Sequence, residues 1–226
     1  MTTYQLQLSD LEINREDIYL NLGYGGAEPD EHINQLLESV IDKAYQICRP
    51  QVAYIVCEGK LLSQSFIELN DVKMKIGSII SGYLEQADQY AVFVATAGEE
   101  YDNYLKETKL SGDIVAEFLA DAVGSEIAEA AVRYVNEKIE EEGLKKDYVI
   151  TKPYSPGYCG WNIREQVQLF SLFPTQPCGI LLNDSCLMHP VKSVSGMVGM
   201  GSKVVETPYG CDTCSMQTCY KRKNLA

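Results

Sequence analysis

Tyr154-Ser155-Pro156-Gly157-Tyr158-Cys159-Gly160-Trp161, followed by Asn183-Asp184-Ser185-Cys186-Leu187-Met188 and then by Lys192-Ser193-Val194-Ser195-Gly196, organises the last third of this chain. Its first segment is neither helix nor central strand. Proline has no amide donor, and glycine admits positive φ at no steric cost. The segment is therefore a shaped loop, and it carries two tyrosines and the only tryptophan of the sequence. Downstream, the spacing predicts a helix near Asn162 to Phe173 and strands near Gly179 to Asn183 and Ser193 to Val198.

Upstream of the loop, strand and helix signals are mixed. Ile13 to Leu22 forms a short amphipathic start, and Gly23-Tyr24-Gly25-Gly26 reads as a flexible turn. Ile33, Leu36, Leu37, Val40, Ile41, Ala44 and Tyr45 recur at three- and four-residue steps until Arg49-Pro50, which predicts an amphipathic helix docked on a core. Val52 to Cys57 and Leu61 to Ile67 flank Glu58-Gly59-Lys60 and read as a hairpin. Val72, Ile76, Ile79, Ile80 and Tyr83 restore a helical period, and Tyr90 to Ala95 reads as a strand. From Ser111 to about Glu142 one face carries Ile114, Val115, Phe118, Leu119, Ala122, Val123, Ile127, Ala131, Val132 and Val135, so a long helix is expected to end before Gly143. Gly124, inside it, marks a close contact or a break. No internal repeat or long linker interrupts the pattern. The expected fold class is α+β, a single domain with a mixed or antiparallel sheet flanked by helices over residues 1–206, and a cysteine-rich tail over 207–226.

Composition narrows the function. A chain of 226 residues with 46% hydrophobic content can bury a core of its own. Its net charge of −13 argues against tracking a phosphate backbone. Lys221-Arg222-Lys223 is the one basic cluster, and such a short run is ordinarily a solvated terminus. No apolar run reaches the roughly 18 residues a membrane span needs, and the N-terminus has no basic segment followed by an apolar one. A cytoplasmic protein with no nucleic-acid or membrane partner is expected. Eight cysteines without a secretory signal then read as reduced thiols or metal ligands before disulfides.

From about residue 90 to 206 the order of these segments resembles the activation domain of vitamin B12-dependent methionine synthase. There a loop of the type Arg-x-x-Pro-Gly-Tyr precedes a Glu/Asp-Ser-x-x-Met turn and a Ser-Val-Ser-Gly strand. The resemblance implies S-adenosylmethionine (AdoMet) binding in a groove that docks over cobalamin, supporting reductive methylation of cob(II)alamin. The chain would then be a methyltransferase component, a half-enzyme. Its partners would be a cobalamin-binding methyltransferase module on another chain and an electron donor such as flavodoxin or ferredoxin.

The same resemblance assigns residues. The AdoMet contacts would be Glu129, an acidic side chain amid alanines on the long helix, and the loop residues Tyr154, Ser155, Pro156, Gly157 and Tyr158. Tyr158 would lie nearest the corrinoid. From the sequence alone Glu129 reads as an exposed helix residue, as most glutamates are, and Glu126 is its neighbouring competitor. The rings of Tyr154, Tyr158 and Trp161 offer faces for a sulfonium ligand. Asp184, Ser185, Met188 and the strand Ser193 to Gly196 would be groove walls. In one respect the chain departs from the pattern: the family's arginine falls on Pro153. The nearest cations are Lys152, one residue earlier, and Arg164 on the following helix, and a lysine does not reproduce the planar fork of an arginine.

Cys211-x2-Cys214-x4-Cys219 stands apart from this reading. Three thiolates at short spacing can hold zinc or an iron–sulfur cluster if Cys186, Cys159 or His189 supplies a fourth ligand, and free, redox-exchanging or disulfide-bonded thiols are the alternatives. A cysteine-ligated metal or iron–sulfur redox protein serving a corrinoid enzyme is therefore the rival reading, with a pure interaction module as a third. Gly196-x-x-Gly199-x-Gly201 leads into a strand-like run and is not a dinucleotide fingerprint. With two histidines and no GxSxG elbow, a hydrolase triad has little to draw on.

Overall fold

The computed structural model describes residues 1–25 and 27–205. Its strands are β1 (Thr2–Gln5), β2 (Gln51–Cys57), β3 (Gly59–Ser63), β4 (Phe66–Leu69), β5 (Val72–Lys75), β6 (Gln89–Thr96), β7 (Val149–Ile150), β8 (Leu181–Leu182), β9 (Met188–His189) and β10 (Ser193–Gly201). Its helices are α1 (Arg15–Asn21), α2 (Glu31–Ile47), α3 (Ser78–Tyr83), α4 (Glu99–Ser111), α5 (Ile114–Leu144) and α6 (Gln166–Ser171).

The central sheet has the order β1-β2-β6-β10-β7, and every pairing in it is antiparallel. Its middle strand, Gln89–Thr96, is buried from Tyr90 onward, as a near-continuous apolar run must be when both faces are covered. One face carries α2, α5 and the N-terminal segment over Val52, Phe93, Ala95 and Val198. The other carries a three-stranded sheet β3-β4-β5, with α3, α6 and the loop around Trp161, over Ile55, Val92, Val94 and Met197. The fold is thus α+β with an antiparallel sheet between two layers.

Several boundaries differ from the sequence expectation, each for a local reason. Val52 to Cys57 and Leu61 to Ile67 do not pair with each other: β2 joins the central sheet, while β3 turns back on β4 in the small one. A Cβ at Gly59 would lie 2.5 Å from the Glu68 carbonyl oxygen, so this strand change needs a residue with no side chain. Val72 opens a strand instead of a helix, because Asn70 and Asp71 both take positive φ, at 44° and 67°. That is the two-residue hairpin geometry that Asn and Asp tolerate, and it pairs Leu69 with Val72. Helix α3 starts only at Ser78, after Gly77 at φ 80°. α5 runs through Gly143 to Leu144, α6 is shorter than Asn162 to Phe173, and β10 runs past Val198 to Gly201. Helix α4 was not legible: its surface is largely charged, and its apolar anchor is Tyr101, whose hydroxyl donates to the Ala120 carbonyl at 2.8 Å.

Helix α5, 31 residues capped by the Asp113 side chain accepting from the Ala116 amide, is the main support. Gly124 is a close contact and not a break: a Cβ there would lie 2.5 Å from Tyr101 Cε1 and 3.0 Å from Lys192 Cγ. Two residues on, Glu126 is fully buried and accepts from the Asn14 amide at 2.8 Å and from Arg133 Nη2 at 2.5 Å. Arg133 also donates to the Glu12 carbonyl, so this carboxylate ties the segment before α1 to α5. Burial outweighs these bonds and raises the Glu126 pKa above the ordinary carboxylate value.

Two outcomes are expected. Gly124→Ala should lower the unfolding free energy in urea by about 1–3 kcal/mol through overpacking. For Glu126, the raised folded value means the native state holds the proton more tightly than the unfolded chain. Its contribution is then fully present below the unfolded carboxylate pKa and is lost as pH rises through the folded one. The difference in unfolding free energy between wild type and Glu126→Gln, measured across pH 4 to 7, should move against the wild type as pH rises.

Candidate functional site

The Pro-Gly loop is fixed to the central sheet by its first residue. Tyr154 and Met197 exchange two main-chain hydrogen bonds of 2.9 Å, beside β10. This approach needs Gly196, where a Cβ would lie 2.5 Å from the Tyr154 oxygen. The chain then turns: the Tyr158 amide donates to the Ser155 carbonyl at 3.3 Å, and Gly157 has φ 98°. Proline followed by a positive-φ glycine is the signature of a type II turn. The Gly157 amide donates to the Trp161 carbonyl at 2.7 Å and the Trp161 amide to the Tyr158 carbonyl at 2.9 Å, closing the loop on itself.

Of the three rings expected to offer faces, one does. Tyr154 is buried and stacks on Tyr83, with centroids 5.5 Å apart and planes at 11°. Burial pushes its hydroxyl pKa well up. Trp161 is 1% exposed in the layer of β3, β4, β5, α3 and α6, the lower core. Tyr158 is 60% exposed and stands at the mouth of a cavity.

That cavity, about 430 Å³, lies where α5, the loop and the strap from Cys186 to Ser195 converge. Helix α5 contributes Glu129 and Val132; the loop contributes Pro153, Ser155, Pro156 and Tyr158; the strap contributes Cys186, Leu187, Met188, Val191, Ser193, Val194 and Ser195. Glu129 and Glu126 are thereby separated in role: Glu129 is half-buried at the cavity, and Glu126 is locked in the core. Gly157 and Lys152 are exposed, and neither they nor Arg164 line the cavity. No lysine or arginine is among its lining residues. Asp184 lines a neighbouring hollow of about 640 Å³ that shares Cys186 with the cavity.

Gln166 is the residue the sequence reading missed. It is 2% exposed, donates through Nε2 to the Cys186 carbonyl at 2.9 Å and accepts through Oε1 from Ser195 Oγ at 3.1 Å. It thus joins the turn at Cys186, which holds φ 62°, to β10 across the cavity floor. A glutamine in a helical period carries no sequence signal for this, because both partners are remote in the chain.

The cavity combines one carboxylate, three serine hydroxyls, a thiol, a thioether and an aromatic face. Such a donor set suits a cationic, sulfur-bearing ligand with hydrogen-bonding groups. Among the described residues no group of three or more His, Cys, Asp or Glu is placed to hold a metal ion. Cys211, Cys214 and Cys219 lie outside the described residues, and Cys186 belongs to the cavity floor. No helix among the described residues is long and apolar enough to cross a membrane.

Comparison with known proteins agrees with this geometry. The sequence model of the family "Vitamin B12 dependent methionine synthase, activation domain" matches residues 79–220. No curated protein sequence matches. Among solved structures, the chain is similar to "Crystal Structure of the MetH Reactivation Domain bound to AdoHcy", with TM-score 0.65 and 16% identity over 91% of this chain and 80% of that one. At that identity the likeness shows a shared fold.

Gln166→Leu keeps the volume but strands the Cys186 carbonyl and the Ser195 hydroxyl. It should cost about 1–3 kcal/mol of unfolding free energy in urea.

Proposed function

The chain belongs to the vitamin B12-dependent methionine synthase activation domain family, and from that membership we propose that it binds AdoMet in the cavity between Glu129 and Tyr158 and serves the reactivation of a corrinoid methyltransferase, most directly methionine synthase. One observation carries the reading. The helix bearing Glu129, the Pro-Gly-Tyr loop and the Ser-Val-Ser-Gly strand, remote from each other in sequence, converge on one cavity. A solved structure that shares this fold is a reactivation domain bound to AdoHcy, the demethylated form of the same ligand.

AdoMet supplies a methyl group at a sulfonium, and cobalamin on the partner is its acceptor once an electron arrives from a donor of the flavodoxin or ferredoxin kind. The residues of this chain bind and orient. The Glu129 carboxylate pairs with the ligand's ammonium, and Met188 and Cys186 present soft surface to the sulfur. Ser155 and the main chain of the loop meet the ligand's carboxylate in place of the family's arginine. Neutral donors hold an anion less strongly than a guanidinium fork, so affinity is set chiefly at the ammonium end. Tyr158, exposed at the mouth, faces the corrinoid of the docked module and shields it from water. On this reading the chain works in the cytoplasm.

Isothermal titration of AdoMet into the full chain tests this. Saturable binding is expected, about tenfold weaker in Glu129→Ala, the loss of one charge-assisted bond. Tyr158→Phe, which keeps the ring, should stay within about threefold of the wild type. Absence of saturable heat above millimolar AdoMet would overturn the reading and return attention to the cysteine-bearing tail.

A further inference from the structure

Two carboxylates are buried in this protein among the described residues, and only one, Glu126, ties core segments together. The other is Asp102, in the first turn of α4, 2% exposed and absent from the cavity lining. Its Oδ1 accepts from the Val191 amide at 2.9 Å. Its Oδ2 lies 2.9 Å from Lys106 Nζ and 3.4 Å from His189 Nδ1. Two of these three contacts are on the strap, at residues either side of Pro190, and Val191 and Ser193 of that strap are cavity walls.

The rest of the strap is held by other groups. The Lys192 carbonyl accepts from the Ala97 amide at 2.9 Å, and Lys192 Nζ reaches Asp121 at 2.7 Å and Ser125 at 2.9 Å on α5. Ser193 Oγ donates to the Pro190 carbonyl at 2.7 Å. These bonds fix Lys192 and Ser193. The main-chain amide of Val191, in the part of the wall after Pro190, is fixed by Asp102.

A buried carboxylate is costly unless it is paired, and an apolar residue of similar size would pack α4 at least as well. Lys106 is more than half exposed, so its attraction to Asp102 is discounted by solvent screening, and a carboxylate on the surface would serve it as well. The strap amide is the partner that an apolar residue could not replace.

We propose that Asp102 is a positioning residue for the ligand groove: its carboxylate sets the strap wall by holding the Val191 amide, without touching the ligand. The inference rests on the AdoMet reading of the cavity.

Burial alone would raise the Asp102 pKa, but Lys106, the Val191 amide and His189 outweigh it and hold the group below the ordinary aspartate value. It is therefore an ionised acceptor throughout the neutral range. Asparagine at this position keeps an oxygen for the Val191 amide, and Lys106 can turn to solvent. Alanine keeps none.

AdoMet titration of the full chain, with amide hydrogen exchange at Val191 read in parallel, separates the possibilities. Asp102→Ala is expected to weaken AdoMet about tenfold and to speed exchange at Val191, whereas Asp102→Asn keeps both within about threefold of the wild type. A purely structural role would lower the thermal midpoint of both variants and leave the affinity of the folded protein unchanged, which overturns the proposal. Equal weakening in Asn and Ala would assign the effect to charge and overturn it too. If Asp102→Ala does not fold, Val191→Pro removes the same bond from the exposed strap, and unchanged affinity there is the overturning result. No binding by the wild type would instead reject the AdoMet reading, and the present inference with it.

Discussion

The close lie of α5 against the sheet and against α4 is the constraint on which the rest of the structure depends. Along its buried side the helix sets Ala120, Ala122, Gly124, Ala128, Ala130 and Ala131 among larger residues such as Leu119, Val123 and Ile127, and the small ones let neighbouring elements come close. At Gly124 the ring of Tyr101 and the stem of Lys192 occupy the space a side chain would fill. Bringing α4 and the strap this near is what turns a helix face into a groove wall. Were α5 held further off by larger side chains, Glu129 would look onto solvent and the loop would have no opposite bank.

The two glutamates of that helix show how packing assigns different work to one residue type. Glu126 faces the layer that includes the N-terminal segment and spends its charge on Asn14 and Arg133. Glu129, one turn on, emerges at the gap left between the loop and the strap. Nothing in Ser125-Glu126-Ile127-Ala128-Glu129 separates the two by chemistry. The distinction arises from which neighbour each meets, and those neighbours come from the two ends of the chain.

The legibility of the sequence follows the same division between local and remote. Helices α2 and α5 and strand β6 were readable because their periodicity is local and strong. The turn at Pro156-Gly157 was readable because only these residues suit it. The small sheet was misread: its turn is made by Asn70-Asp71, which carries no glycine, and the apolar spacing of Val72 and Ile76 imitates a helix. At the site, Glu129, Ser155, Pro156 and Tyr158 were reached through the resemblance and do line the cavity. The Tyr154 and Trp161 rings turn the other way because the lower core needs apolar volume beneath the loop. Gln166 and Asp102 escaped because each meets a main-chain group remote in the chain, whose position no side-chain pattern reports.

The burial of Trp161 makes the protein its own optical gauge. The chain has one tryptophan, and its indole sits at 1% exposure in the lower layer, away from the cavity, with its ring nitrogen lacking a hydrogen-bond partner among the described residues. Its emission therefore reports solvent entry into that layer, while far-ultraviolet circular dichroism is weighted toward α2, α4 and α5 in the other. Coincident melting of the two signals would mean that the sheet transmits the loss of one layer to the other at once. Separate transitions would make the sheet a seam between two cooperative halves.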